Sequence, residues 1–273
     1  RVFSVEVVIN EDNASLNTIK MQKNTQIRSK DRVRDLGEVL TAEREVAAML
    51  ALLPKTTWAS NKKFYEPACG NGNFLEAILN KKLEKIQKPT PQKFPQEHAE
   101  FEILKTLTSI YGTDICPRNV KETRERLKGV IKGYTSNKKH WNTCDVSEAF
   151  KNLVSKILEY NIQTANALQP ERTLVCEWQE PAYGQFRPVH FFLSTLQTGM
   201  PGEPSKKDEI IDFFRIRRPE CTHCGAPEKP EDEEINEELH AYTFIHGNPI
   251  PEKIKHMKFD IIITNPPYQL KDG

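Results

Sequence analysis

Apolar residues recur every three to four positions in five stretches of the chain, which is the spacing of an amphipathic helix. In the second stretch, Phe74, Ile78 and Leu79 share one face. Thr41 is a suitable N-cap for the first stretch, and Pro117 suits the first turn of the fourth. The pattern predicts helices over residues 41–53, 73–83, 98–108, 118–132 and 146–159.

Short apolar runs alternate with these helices and predict strands. The run 259–263 is β-branched, as expected of a buried parallel strand. Residues 171–196 alternate loosely between polar and apolar types and predict added strands or a hairpin. The remaining strands are predicted at residues 64–65, 109–115 and 160–164. Because strands alternate with helices, we predict an α/β fold whose sheet is covered on both faces.

Composition narrows the class of protein. The chain has 273 residues, of which 37% are hydrophobic, and a formal net charge of +1, so one or two globular domains are expected. No apolar run approaches the ~18 residues that a membrane helix needs, so we expect no membrane partner. The six cysteines are few and scattered, which predicts a cytoplasmic protein without a disulfide scaffold.

The segment 66–74 carries the first chemical signal, with the sequence EPACGNGNF. It lies between a strand end and a helix start, where ligands bind in open α/β sheets. Gly70 and Gly72 permit a tight turn and a close approach to a ligand. The segment lacks the dinucleotide and phosphate-loop patterns, and Glu66 would repel a pyrophosphate. It therefore suits a cationic ligand such as S-adenosylmethionine, while an ordinary tight turn is the alternative.

Asp114 ends the next predicted strand and gives the second signal. A carboxylate at this position can accept hydrogen bonds from both hydroxyls of a ribose. An aspartate at a strand end is also common in structural roles, so that alternative stays open for this residue.

The residues Asn265-Pro266-Pro267-Tyr268 follow the apolar run 259–263 and give the strongest signal. Two prolines fix the backbone and remove two N–H donors, so nearby carbonyls and the Asn265 side-chain oxygen remain free as acceptors. Tyr268 supplies a flat face for stacking. Such a site can accept hydrogen bonds from a planar amino group and keep its nitrogen lone pair available for attack.

The segments 66–74 and 265–268 together resemble the amino-group DNA methyltransferases, most closely the adenine-N6 methyltransferases of bacterial restriction–modification systems. The resemblance implies a Rossmann-like class I methyltransferase sheet with S-adenosyl-L-methionine as cofactor and no metal. It implies double-stranded DNA with a flipped-out adenine as substrate, and a restriction endonuclease subunit or fused nuclease as a further partner. The cofactor contacts that it implies are Thr41, Glu66, Pro67, Ala68, Cys69, Gly70, Gly72, Asp114, Ile115 and Asn166. The catalytic residues that it implies are Asn265, Pro266, Pro267 and Tyr268.

The same resemblance divides the chain. Because Arg1 is not Met and Met21 precedes a polar run, we expect residues 1–20 to be a non-native or disordered leader. The other predicted parts are a cofactor-binding half (21–170), an insertion with an acidic loop (171–258), and a catalytic strand with its loop (259–273).

The family sheet continues past the Asn-Pro-Pro-Tyr strand, whereas this chain ends five residues after Tyr268. We therefore expect an incomplete sheet of only the first four strands, in the order 3-2-1-4, with the fourth strand as an unprotected edge. We expect little or no sequence-specific methylation by residues 1–273 alone.

Two other features carry weaker signals. Cys221 and Cys224 form one C-x-x-C, which suits zinc only if further ligands such as His240 and His246 join it; a solvated acidic loop is the favoured interpretation. Residues 117–140 carry eight Lys or Arg against two Glu and could contact DNA phosphates, although a solvated helix face is favoured.

Two alternative functions remain at this point. The first keeps the cofactor and changes the acceptor to a protein glutamine amide or an RNA guanine amino group, each of which presents a planar amino group. The second is an inactive gene fragment or a non-catalytic binding subunit.

Overall fold

A computed structural model describes residues 3–9, 17–21, 26–27, 39–90, 95–141, 145–198, 203–204, 210–217 and 257–264. The strands are β1 (Phe3–Ile9), β2 (Asn17–Met21), β3 (Gln26–Ile27), β4 (Val39–Leu40), β5 (Phe64–Glu66), β6 (Ile110–Asp114), β7 (Ile162–Thr164), β8 (Leu174–Gln179), β9 (Gln185–Phe192), β10 (Glu203–Pro204), β11 (Ile211–Asp212) and β12 (Ile261–Thr264). The α-helices are α1 (Glu43–Leu50), α2 (Asn73–Leu83), α3 (Gln96–Leu107), α4 (Pro117–Ser136), α5 (Glu148–Asn161), α6 (Thr195–Thr198) and α7 (Phe213–Ile216), and a 3-10 turn spans Lys55–Trp58.

Four parallel strands, β12, β5, β6 and β7, lie side by side in the main sheet, whose full order is β2-β1-β12-β5-β6-β7. Ile261 lies opposite Phe64, which in turn lies opposite Ile110, so β12, β5 and β6 are in register at their amino ends. The order β12-β5-β6-β7 is the one predicted for the first four strands. The protein is thus a mixed α/β protein, and the finer class I methyltransferase assignment stays a prediction.

The amino-terminal strands differ from expectation. β1 lies in the segment predicted to be a leader, and it pairs antiparallel with β12 from Glu6 opposite Thr264 to Ile9 opposite Ile261. The prediction that the fourth parallel strand is an unprotected edge is therefore wrong, because the β-branched run of β1 supplies its hydrogen-bonding partner. Whether residues 1–20 are native stays open to test.

One face of the sheet packs against the helices. Phe64, Ile110 and Ile162 project from it into a core with apolar residues of α2, α3, α4 and α5. Leu75 of α2 packs so closely that a Cβ on Gly112 would lie 2.7 Å from its Cδ1 atom. This layer of helices on the sheet agrees with the alternation of helices and strands predicted from the sequence.

The opposite face is covered by a hairpin of β8 and β9, in which Val175 lies opposite Phe191. This hairpin is part of the insertion for which the sequence predicted added strands. Tyr65 and Tyr111 project from the sheet toward Val175 and Val189 of the hairpin, in a core that also contains Phe259. The rings of Tyr65 and Phe259 are stacked with their centroids 4.7 Å apart.

Several predicted helix limits change by a few residues. The first helix begins at Glu43 with Ala42 as its N-cap, so the assignment of Thr41 as N-cap is wrong. The Glu45 carboxylate accepts a hydrogen bond from the Ala42 amide at 3.4 Å and takes over part of the capping role. Pro117 opens α4 as predicted, and that helix continues to Ser136. Helix α2 has the predicted limits, because the left-handed Gly72 before it fixes its start.

A buried lysine joins the amino ends of β5 and β6. The ammonium of Lys82, which is 1% exposed, donates to the carbonyls of Lys62 at 2.6 Å and Ala59 at 3.1 Å, and to the Ser109 hydroxyl at 2.6 Å. Burial lowers the pKa of Lys82 to about 7, with Asp260 acting in the opposite direction. The contacts offset only part of the loss of hydration, as the lowered pKa shows, and they fix the loop that leads into β5.

We expect Lys82→Met to lower the free energy of unfolding by about 2–3 kcal/mol, because buried carbonyls lose their donor. Urea unfolding followed by circular dichroism measures the change. The control is Lys85→Met, since Lys85 is exposed near the same helix end and should change stability by less than about 0.5 kcal/mol. Equal stabilities of the two variants would contradict the role of Lys82.

Candidate functional site

The loop 67–72 connects β5 to α2 at the carboxyl ends of the parallel strands. Its backbone is held to the end of β6: the Cys69 amide donates to the Thr113 carbonyl at 2.9 Å, and the Gly70 amide donates to Oδ2 of Asp114 at 2.9 Å. The Thr113 hydroxyl donates in turn to the Pro67 carbonyl at 3.1 Å. The loop is therefore anchored at three points to its neighbouring strand.

Two glycines give the loop its shape. Gly70 has φ +53° and Gly72 has φ +86°, both in the left-handed region that favours glycine. Among the described residues, a Cβ on Gly70 would meet no atom within 4 Å, whereas a Cβ on Gly72 would lie 2.8 Å from Cγ2 of Thr123. The backbone at Gly70 thus borders open space, as a ligand-facing loop requires, and the backbone at Gly72 packs against α4.

Two buried carboxylates face this loop. Glu66 is 3% exposed and Asp114 is 9% exposed. Burial raises the pKa of Glu66 well above its usual value, and the charge of Asp114 raises it further. In the part of the chain that the structure describes, Oε2 of Glu66 has no hydrogen-bond partner. A buried acid with one oxygen unpartnered among the described residues, next to a second acid, suits a ligand that carries positive charge.

Asp114 is oriented by three donors. Oδ2 accepts from Gly70, and Oδ1 accepts from the Cys116 amide at 2.8 Å and the Asn119 side chain at 3.3 Å. A carboxylate offers about four lone-pair sites, so Oδ2 keeps capacity for a ligand hydroxyl. The carboxylate is held in one orientation, as the ribose contact predicted from the sequence would need.

The loops after β6 and β7 add apolar surface at the same edge. The Ala165 amide donates to the Asp114 carbonyl at 3.0 Å, which brings the second loop beside the first. Ile115 is 56% exposed and Leu168 is 90% exposed. Oδ1 of Asn166 accepts from the Leu168 amide at 3.0 Å, so the side chain predicted to approach the cofactor also stabilises its own turn.

Thr41 reaches this edge through α2. The Asn73 side chain donates to the Thr41 carbonyl at 3.2 Å, which places the segment before α1 beside the start of α2. The predicted cofactor residues Thr41, the 66–72 segment, Asp114, Ile115 and Asn166 therefore come together at one edge of the sheet. Their contact with a cofactor stays a prediction.

The predicted catalytic residues Asn265, Pro266, Pro267 and Tyr268 lie outside the described residues. Thr264, immediately before them, is the last residue of β12. Since β12 and β5 are parallel neighbours, the carboxyl end of β12 lies at the same edge as the 67–72 loop.

Cys221 and Cys224, the C-x-x-C considered as a zinc site, also lie outside the described residues. Within the described ranges, no group of three or more His, Cys, Asp or Glu side chains could hold a metal ion. Nor does any helix in those ranges have the length and apolar character needed to cross a membrane.

Sequence reasoning missed the contribution of α4 to the site. Asn119 and Thr123 are buried on the face of α4 that also carries Val120 and Leu127. Their signal was present in the sequence: two small polar residues, four positions apart, interrupt an apolar helix face. The charges of the 117–140 stretch lie mainly on the other faces of this helix and indicate only a solvated or phosphate-binding surface.

The described residues define an α/β protein with a candidate cofactor site, lined by acids and glycines, at the carboxyl ends of its parallel strands. Residues 108–273 match the family model of the Eco57I restriction-modification methylase. The chain therefore belongs to the Eco57I restriction-modification methylase family. The matched range contains the Asn265–Tyr268 tetrad and Asp114, while the 66–74 segment precedes it.

No significant match was found among curated proteins or among solved structures. Membership of the Eco57I family confirms the predicted relation to restriction–modification methyltransferases. The adenine-N6 part of that prediction is not tested by it.

The glycines provide a matched pair of tests. We expect Gly72→Ala to lower the free energy of unfolding by about 2–4 kcal/mol, because its φ is strained and its Cβ meets Thr123. We expect Gly70→Ala to cost only about 1 kcal/mol, because its Cβ meets open space. Urea unfolding measures both, and an equal cost for the two substitutions would contradict the described packing.

A second test concerns the pH dependence of Glu66. Its raised pKa means that the folded state keeps a proton that the unfolded state releases above its value of 4.5, so wild-type stability falls as pH rises through the folded pKa. Glu66→Gln carries no such proton. We expect the two proteins to unfold alike at pH 4 and the variant to be more stable at pH 8 by about 1 kcal/mol or more. A difference that does not grow with pH would contradict the raised pKa.

Proposed function

We propose that this protein transfers a methyl group from S-adenosyl-L-methionine to the N6 amino group of an adenine in double-stranded DNA. Family membership supports the reaction class and the restriction–modification setting. The observation that carries the cofactor assignment is the pair of buried acids, Glu66 with an unpartnered oxygen and Asp114, at a loop whose Gly70 borders open space. We further propose a cytoplasmic protein that acts beside a restriction endonuclease subunit or fused nuclease.

The described residues fit such a cofactor. Glu66 offers its oxygen to the amino acid end, which carries positive charge. Asp114 offers Oδ2 to the ribose hydroxyls, and Ile115 offers exposed apolar surface for the adenine ring. Thr41 would contact the carboxyl end, and Asn166 would border the adenine. When bound, S-adenosylmethionine supplies an electrophilic methyl group.

The proposed acceptor site uses the Asn265–Tyr268 tetrad. The target adenine leaves the duplex, since its N6 is otherwise paired, and stacks on Tyr268. The Asn265 side chain and the Pro266 carbonyl accept the two amino hydrogens, and Pro267 keeps the loop rigid. The N6 lone pair would form the new C–N bond as the C–S bond breaks, the sulfur would keep the electron pair of that bond and become a neutral thioether, and N6 would release one proton to solvent. Alignment of nitrogen, methyl and sulfur can contribute ~7–11 kcal/mol in well-oriented systems.

With a protein that extends past Gly273, since little methylation is expected of residues 1–273 alone, we expect label from methyl-labelled S-adenosylmethionine to appear in unmethylated DNA, as N6-methyladenine, when DNA, RNA and protein extract are offered separately. Asn265→Ala should lower DNA labelling by about 100-fold or more and leave cofactor binding within about threefold, because it removes an acceptor used only at the reacting amino group. Gln269→Ala, just outside the tetrad, serves as the control.

Label in RNA or protein would overturn the proposed acceptor and keep the cofactor site. Equal turnover of Asn265→Ala and wild type would contradict the catalytic role of Asn265. A wild-type protein that binds no S-adenosylmethionine would contradict the cofactor assignment itself.

A further inference from the structure

We propose that Thr123 is a positioning residue for the cofactor loop, and that Asn119 and Arg126 extend its role to the other cofactor contacts. The inference rests on the proposed function for what the loop binds. It rests on the described contacts for how the loop is held.

The three residues occupy one face of α4. They stand at positions i, i+4 and i+7, which fall on one side of a helix. Thr123 is 0% exposed and Asn119 is 3% exposed, although both side chains are polar. Buried polar groups are usually hydrogen-bonded, so the role of this helix face follows from the groups that its side chains bond.

Thr123 contacts the loop with both branches of its side chain. Its hydroxyl donates to the Gly70 carbonyl at 2.9 Å. Its methyl group lies where a side chain at Gly72 would otherwise stand, 2.8 Å from the position of a Cβ. The Thr123 side chain also lowers the pKa of the Cys69 thiol, against the larger raising effect of burial. Thr123 thus fixes the direction of the peptide at Gly70, where the loop borders open space.

Asn119, one turn earlier, acts on the second predicted contact. Its side chain donates to Oδ1 of Asp114 at 3.3 Å. Oδ2 of the same carboxylate accepts from the Gly70 amide, so Asn119 and the loop hold opposite oxygens of one group. The expected ribose acceptor is therefore set from α4 and from the loop together.

Arg126, near the middle of α4, acts on a third predicted cofactor contact, the segment at Thr41. Its guanidinium donates to Oδ1 of Asn73 at 3.0 Å and to the Glu76 carboxylate at 2.6 Å. The Asn73 amide nitrogen then donates to the Thr41 carbonyl at 3.2 Å. One helix face thereby contacts, directly or through Asn73, three of the segments expected to bind the cofactor: the 67–72 loop, Asp114 and the segment at Thr41.

The near-isosteric pair Thr123→Val and Thr123→Ser tests this role. Valine keeps the shape and removes the hydroxyl, whereas serine keeps the hydroxyl. Because one buried hydrogen bond is worth up to about tenfold in an equilibrium, we expect Thr123→Val to weaken S-adenosylmethionine binding about tenfold and Thr123→Ser to stay within about threefold of wild type. Lys121→Gln, on the exposed side of the same helix, is the control. Isothermal titration calorimetry on the whole chain measures all four proteins.

A second readout needs no cofactor. Cys69 is buried within the loop, so iodoacetamide reaches its thiol only when the loop opens. We expect Cys69 to be alkylated at least about threefold faster in Thr123→Val, and at the wild-type rate in Thr123→Ser, as followed by peptide mass spectrometry. Loss of the Thr123 hydrogen bond alone would raise the thiol pKa and slow alkylation, so the direction of the change separates loop opening from a local effect on sulfur.

Equal or slower alkylation in Thr123→Val, with circular dichroism showing a folded protein, would overturn the positioning role. Weakened binding in Thr123→Ser equal to that in Thr123→Val would also overturn it, because the hydroxyl would then be irrelevant. A wild-type protein that binds no S-adenosylmethionine would refute the proposed function, and the Cys69 rates would still decide the role of Thr123.

Discussion

The candidate site depends on the hydrogen bonds that its loop donates to the end of one neighbouring strand. The Cys69 and Gly70 amides bind the Thr113 carbonyl and the Asp114 carboxylate. The first of these bonds joins two backbones, so strand β6 holds the loop at Cys69 without using the cysteine side chain. The second uses the very carboxylate expected to bind a ribose. Asp114 therefore both holds the loop to the sheet and is expected to bind the ligand.

Two buried acids, Glu66 and Asp114, lie at this edge, and the charge of Asp114 raises the pKa of Glu66. Glu66 and Asp114 raise the pKa of the buried Cys69 thiol, after the larger effect of burial itself. A cationic ligand would relieve the repulsion between the acids, so binding and protonation are linked at this site. The same acids disfavour anionic ligands, which agrees with the absence of a phosphate-loop sequence in the 66–74 segment.

Sequence patterns predicted the regular part of the fold and failed where tertiary contacts decide. Helix α2 was placed correctly because apolar spacing and Gly72 both define it locally. The order of the four parallel strands followed from the family resemblance. The pairing of β1 with β12 joins residues more than 250 positions apart, and no local pattern announces such a partner. The spacing of Asn119 and Thr123 on an apolar helix face is visible in the sequence, but their partners, Asp114 and Gly70, come from other elements and only the fold brings them together.

Lys82 holds the amino ends of β5 and β6, while the candidate site lies at their carboxyl ends. The two polar networks share strands but no side chains. Sequence drift in the loops around the ligand can therefore proceed without loosening the anchor at the far edge, and a change at the anchor need not alter which ligand is chosen.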